Sequence, residues 1–258
     1  MYNKKTVKWK HRIDISVYKH PVFDKGDQSK QAVQNEETCI HRKKYDEMSD
    51  MEKERSDKRR KIYFEKKIYY LQDVCIHNKL DTFITFTFRE DVTQYEDAKR
   101  YWALGLKRLK YRIERSIKYV AVHELQKKRG DVFHFHMLTD IGFFPYEELR
   151  DVWGYGGVYI EQIDAGTEAG RKQIQYIFKY IVKDVLDEIE IKERSGVRKI
   201  YCSRNLIKPD VSLQLSDESV DDVIFANMES VVETVSYDMK NYNGIKINEV
   251  DLVRIKNS

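Results

Sequence analysis

The stretch "YVAVHELQKKRGDVFHFHML", residues 119–138, decides the fold. Two runs rich in β-branched and aromatic residues flank a glycine-containing loop, "KKRGD" at 127–131, which is the pattern of a β-hairpin. In the second run His134 and His136 alternate with Phe133, Phe135 and Met137, so both imidazoles share one face of a strand. The loop sets the register: Gln126 stands opposite Val132 and Glu124 opposite His134. Cross-strand partners lie about 4.5–5.5 Å apart at Cβ and share a face, which brings Glu124 beside both histidines. A histidine pair on a strand is compatible with a polar patch on a half-buried sheet. Two imidazoles and a carboxylate with open positions also suit a divalent cation, and mixed nitrogen and oxygen ligands favour Mn²⁺ or Mg²⁺ acting on a phosphate. Gln126 lies on the same face and can replace Glu124 or support it. No cysteine stands nearby to close a structural zinc site, and His123 points to the other face as a packing or surface residue.

Around the hairpin the remaining elements fall into order. "DTFITFTF" (81–88) is a strand, and Thr93 with Glu96 forms a capping box that predicts a helix from Gln94 to Arg115. Pro145 opens a short helix, "GGVYIEQI" (156–163) is a further strand, and Thr167 caps a long helix to about Ile191. The order β-α-β-β-α-β followed by a helix is that of an α+β, ferredoxin-like split βαβ antiparallel sheet. Residues 1–45 mix cations with isolated aromatics, show no period, and are expected to form an irregular arm. Residues 49–70, "SDMEKERSDKRRKIYFEKKIYY", form a charged helix candidate. Beyond 195, "RKIYCSRNL" and "YNGIKINEV" predict short strands, the latter turning at Asn243-Gly244, with a partly helical acidic segment between them. The expected organisation is a basic, partly helical N-terminal extension (1–75), a central domain (76–194) and a C-terminal extension (195–258).

The chain of 258 residues has 41% hydrophobic and 35% charged residues, as in a soluble protein with a charged surface. No apolar run of membrane-spanning length and no leader-like N-terminus is present. Cys39, Cys75 and Cys202 follow no metal spacing, so reduced thiols in an intracellular setting are expected. The net charge of +4 hides an asymmetry. Residues 209–239 hold eight acidic residues and no Lys or Arg; without them the chain has 47 basic against 35 acidic residues, a net of +12. That is the charge of a polyanion binder or of a heavily solvated surface. Packing is the expected role of the acidic segment.

In "QIQYIFKYIVKDVLDEI" (173–189), Ile174, Ile177, Phe178, Ile181, Val182, Val185, Leu186 and Ile189 recur at helical spacing, so the segment is an amphipathic helix. Tyr176, Lys179, Tyr180 and Lys183 cluster on its other face. They can be a plain solvated face, or tyrosine nucleophiles whose phenolates nearby cations favour.

Together these features resemble the HUH endonucleases, the rolling-circle replication initiators of plasmids and small phages. "HFHML" resembles their His-hydrophobic-His signature, and "YIFKYIVK" their two-tyrosine motif, Tyr-x-x-Lys-Tyr-x-x-Lys. "FITFTF" is similar to their upstream strand motif, and the three motifs occur in family order over about residues 80–190. The resemblance implies the HUH endonuclease fold, with the histidine strand central and the tyrosine helix packed across it. It implies His134, His136 and Glu124 as metal ligands, Tyr180 and Tyr176 as nucleophiles with Tyr180 first, Lys179 and Lys183 as their cations, and Thr85 and Thr87 as sheet-supporting or DNA-contacting residues. The implied cofactor is Mn²⁺ or Mg²⁺. The implied partners are single-stranded or extruded origin DNA, a host helicase (no P-loop is present) and a host polymerase, in the cytoplasm of a bacterial cell. The basic segment 1–70, with Trp9, Tyr63, Phe64, Tyr69 and Tyr70, is a candidate source of phosphate contacts and stacking. Two alternatives stand beside it. One is a relaxase or transposase of the same class, disfavoured because the tyrosines follow the histidines. The other is a non-catalytic ferredoxin-like nucleic-acid-binding module.

Overall fold

The computed structural model describes residues 1–23, 45–178, 200–240 and 244–257. It divides into two compact units, one of residues 60–208 and one of 1–59 with 209–258.

The first unit is built on the hairpin. β4 (Tyr119–Gln126) and β5 (Val132–Thr139) pair antiparallel in the expected register, Gln126 opposite Val132 and Glu124 opposite His134. β3 (Thr82–Phe86) lies on the other side of β5, β6 (Val158–Gln162) flanks β3, and β7 (Ile200–Cys202) flanks β4. β3 and β4 run parallel with β5 between them and are joined by α2 (Tyr95–Ile113), which is the split βαβ arrangement. Alternation along the strands gives the sheet two apolar faces. Ile84, Phe86, Phe133, Phe135 and Met137 pack under α2 and α3 (Tyr146–Trp153) through Trp102, Leu109, Leu149 and Trp153. Val120, Val122, Leu138 and Ile200 form the other face with Ile68, Leu71 and Cys75 of α1 (Asp50–His77) and with Ile174 and Phe178 of α4, the helical residues 168–178.

Local details depart from expectation in three places. The charged helix runs to His77, seven residues past Tyr70, because its last two turns are buried. α2 begins after Gln94, whose side chain makes no capping bond, so the Thr93–Glu96 box does not form. Thr167 does cap α4, its hydroxyl accepting from the Gly170 amide at 3.1 Å. A Cβ at Gly170 would meet the Asp164 carbonyl oxygen at 1.8 Å, so only glycine allows the chain to turn back on itself here. The continuation of α4 to Ile191 lies outside the described residues.

The second unit corrects the picture of an irregular arm and a separate C-terminal extension. Residues 1–23 form β1 (Tyr2–Lys8) and β2 (Arg12–Val22), a hairpin that needs the C-terminal residues to complete its sheet. The strand order is β8-β1-β2-β10-β9, with β8 (Asp210–Gln214), β9 (Val231–Lys240) and β10 (Lys246–Lys256) all antiparallel to their neighbours. Ile15, Val253 and Ile255 pack against Val223 of α5 (Val220–Ala226), which starts with a capping box from Ser219 to Asp222. The acidic segment therefore supplies β8, α5 and most of β9. Its carboxylates pair with strand cations, Glu218 with Lys4, Glu233 with Arg254, and Asp238 with Lys246 at 2.8 Å. Trp9 is buried and its indole donates to Asp14 at 3.2 Å, which removes it as a stacking platform. Among the described residues no helix is long and apolar enough to cross a membrane.

Candidate active site

The face of β5 that carries His134 and His136 is half-covered: both rings are partly exposed while the intervening Phe135 is buried on the opposite face. Glu124 lies opposite His134 in the ladder, yet its carboxylate reaches diagonally to His136, accepting from Nε2 at 2.7 Å. A carboxylate only accepts, so the proton of the neutral ring is on Nε2, and Nδ1 accepts from the Thr85 hydroxyl at 2.9 Å. Thr85 is in register with His136 across β3 and β5. Phe83, two residues earlier on the same face, stacks on the His136 ring at 5.9 Å with 9° between planes. His136 is thereby fixed on three sides.

His134 is held differently. Its Nε2 is buried with no hydrogen-bond partner, as is Oε1 of Gln126. Burial lowers the His134 pKa below the usual imidazole value, and the neighbouring His136 adds to the effect, with Glu124 opposing it. Arg129 adds a smaller push in the same direction; it is anchored to the Phe88 carbonyl at 3.0 Å and to Asp91 at 2.7 Å. The result is a neutral imidazole with an unused nitrogen, the state in which histidine binds a metal.

No group of three His, Cys, Asp or Glu side chains converges into a ready cage among the described residues, since His136 and Glu124 are closed on each other. The donor set still fits a divalent ion: two imidazoles, one carboxylate and an amide oxygen on one face, with an orphaned nitrogen on His134 and an orphaned oxygen on Gln126. The Thr85 hydroxyl can also accept from Nδ1–H, so it supports the tautomer that frees Nε2.

α4 lies over this same face. Ile177 and Phe178 line a small cavity with His136, Phe83 and Val122. Tyr176 is 59% exposed on the helix's outer side. Lys179, Tyr180 and Lys183 lie outside the described residues. Thr87 stands one residue past β3, where its hydroxyl donates to the Gly157 carbonyl at 3.0 Å, so it ties the strand end to the β6 approach. His123 is buried on the other face, 5.2 Å from the Phe133 ring. The structure thus brings together His134, His136, Glu124, Gln126 and Thr85. It also adds Phe83 and Arg129, whose places depend on β3 lying beside β5, a non-local pairing that no local motif announces.

Residues 81–185 match a family model of replication-associated proteins, the ORF2 type. No curated protein and no solved structure matches the chain. The matched span contains every one of the candidate site residues, from Thr85 to Lys183, and the chain is to that extent similar to replication proteins.

Proposed function

We propose that the chain is a rolling-circle replication initiator that nicks and rejoins single-stranded origin DNA through a 5′-phosphotyrosine intermediate. The observation that carries this is the orphaned His134 nitrogen beside the His136–Glu124 pair, on the sheet face that α4 covers. His134, His136 and Glu124 would hold Mn²⁺ or Mg²⁺, with Gln126 as the further oxygen. The ion, when bound, polarises a phosphoryl oxygen and offsets developing charge.

The rest is done by the chain's own groups. A phenolic oxygen, of Tyr180 first, forms a bond to phosphorus as the bond from phosphorus to the 3′ oxygen breaks. The phenol's proton goes to solvent, and the departing 3′ oxygen takes one up as the free hydroxyl. Lys179 and Lys183 neutralise phosphate and favour the phenolate. The ester is conserved in the covalent link, so a 3′ hydroxyl can attack it and reseal the strand without ATP. Tyr176, one turn away from Tyr180 on the helix, would take the second cleavage of a replication cycle. Thr85 keeps His136 oriented, and Phe83 keeps its ring plane.

Incubating the protein with a single-stranded oligonucleotide library and Mn²⁺ tests the proposal. A protein–DNA adduct that survives denaturation is expected. It should be lost with EDTA and in the Tyr176→Phe, Tyr180→Phe double variant. Absence of any adduct with every oligonucleotide would overturn the nuclease reading in favour of a non-catalytic nucleic-acid-binding module.

A further inference from the structure

We infer that α1 carries a second contact surface for single-stranded DNA, a stripe of tyrosines and cations on its outer side. The inference rests on the reading that the chain acts on single-stranded DNA, and it adds where the strand is held outside the histidine site. The stripe also lies outside residues 81–185, the span similar to replication proteins.

α1 buries Ile68, Leu71, Val74 and Cys75, and three of these pack with the strands of the histidine face. Turned away from them, Ile62, Tyr63, Lys66, Tyr69 and Tyr70 recur at i, i+1, i+4, i+7 and i+8, a single stripe along the helix. All five are exposed, Tyr63 by 60% and Tyr69 by 68%. From Arg60 to Tyr70 there are four cations, Arg60, Lys61, Lys66 and Lys67, against one acid, Glu65. The Lys67 ammonium stands 5.8 Å from the centre of the Tyr63 ring, so charge and ring are presented together.

A single exposed tyrosine is ordinary. Three on one stripe, interleaved with cations, are not explained by covering the core, because the core-facing side of the helix is already filled by aliphatic residues. An apolar protein partner would need aliphatic residues here, and Ile62 is the only one on the stripe. The excess of positive charge calls for a polyanion, and phenol rings add affinity only where the polyanion exposes the faces of its bases. Duplex DNA hides those faces in its stack, and an acidic peptide has none. Single-stranded DNA offers both phosphates and free bases.

The test measures binding of the full chain to labelled oligothymidylate by fluorescence anisotropy, without divalent metal, so that cleavage does not intervene. The Tyr63→Ala, Tyr69→Ala double variant should bind about tenfold or more weakly, the scale of losing base stacking, while its affinity for a duplex is unchanged. Tyr63→Phe, Tyr69→Phe should bind like the parent. Lys61→Ala, Lys66→Ala should flatten the dependence of log affinity on log salt by about 1.4, two phosphates' worth on a single strand. Unchanged oligothymidylate affinity in the alanine pair would overturn the inference, as would an equal loss for duplex. The adduct assay is independent of this outcome. Adduct formation with unaltered binding would sink only the stripe, and tyrosine-dependent binding without any adduct would sink only the nuclease.

Discussion

At the scale of single residues the site turns on which nitrogen of each histidine is in use. In His136 both are engaged, Nε2 by Glu124 and Nδ1 by Thr85. In His134 Nε2 is buried and unused. Thr85→Val keeps the shape of the side chain and removes its hydroxyl, so His136 loses the partner that fixes its ring. Mn²⁺ affinity measured by calorimetry should fall about 10- to 100-fold, the usual cost of losing such a supporting bond, and Thr85→Ser should restore most of it. An unchanged affinity would show that Thr85 serves only the sheet. His134 gives a second prediction, on pH. Its pKa is lowered in the fold, chiefly by burial, so between that value and the ordinary 6.5 the unfolded chain binds the proton and the folded chain does not. Stability therefore rises with pH across this window, and is lost as pH falls through 6.5 toward the folded value. In the metal-free protein the His134 ring resonances should titrate below 6.5. A midpoint at or above that value would contradict the burial argument.

At the scale of elements, what the sequence makes legible is what is local. The loop length fixed the β4–β5 register, and with it Glu124 beside the histidines, because the two strands are five residues apart. The roles of Thr85 and Phe83 were not legible to the same depth: they require β3 to lie against β5, about fifty residues away in the chain. The capping box at Thr93 failed for a related reason. Propensity at a helix start is a weak preference that tertiary packing overrides, and α2 starts where Tyr95 and Ala98 meet the core. α4 follows the sequence closely as far as it is described, its entry set by Thr167 and by the close approach at Gly170. Gly170→Ala would drive a methyl group to 1.8 Å from the Asp164 carbonyl oxygen, so either the turn or the helix must move. We expect a loss of about 1–3 kcal/mol in chemical denaturation, as for an overpacked site. Tyr176 rides on the same helix, so adduct yield should fall even at temperatures where the variant is folded. A variant as stable as the parent would mean that the turn relaxes freely.

At the scale of the whole molecule, the unexpected feature is that the two ends of the chain build one sheet. "RIDISV" at 12–17 has the alternation of a strand, but its partner β10 begins at Lys246, far beyond any window in which a pairing can be read. The alternating charges around it, Lys4, Lys5, Arg12 and Asp14, look like those of a solvated arm until the acidic segment is placed beside them. The excess of acid at 209–239 then has a plain use. It supplies edge strands and ion pairs to a basic hairpin, although exposed pairs of this kind contribute little stability each. What holds β1 and β2 is their flanking strands and the contact of Ile15 with Val253, Ile255 and Val223. An isolated two-stranded hairpin is marginal in water. Removing residues 209–258 takes away β8, α5, β9 and β10 together, and should leave β1 and β2 without a fold. By hydrogen exchange, the amides of Arg12–Val22 should then exchange like those of an unfolded chain. Those of β3, β4 and β5 should keep their protection, because their core is drawn from residues 60–208. Retained protection in Arg12–Val22 would show that the hairpin stands without the C-terminal strands. Lost protection in β5 would show that the two units do not fold separately.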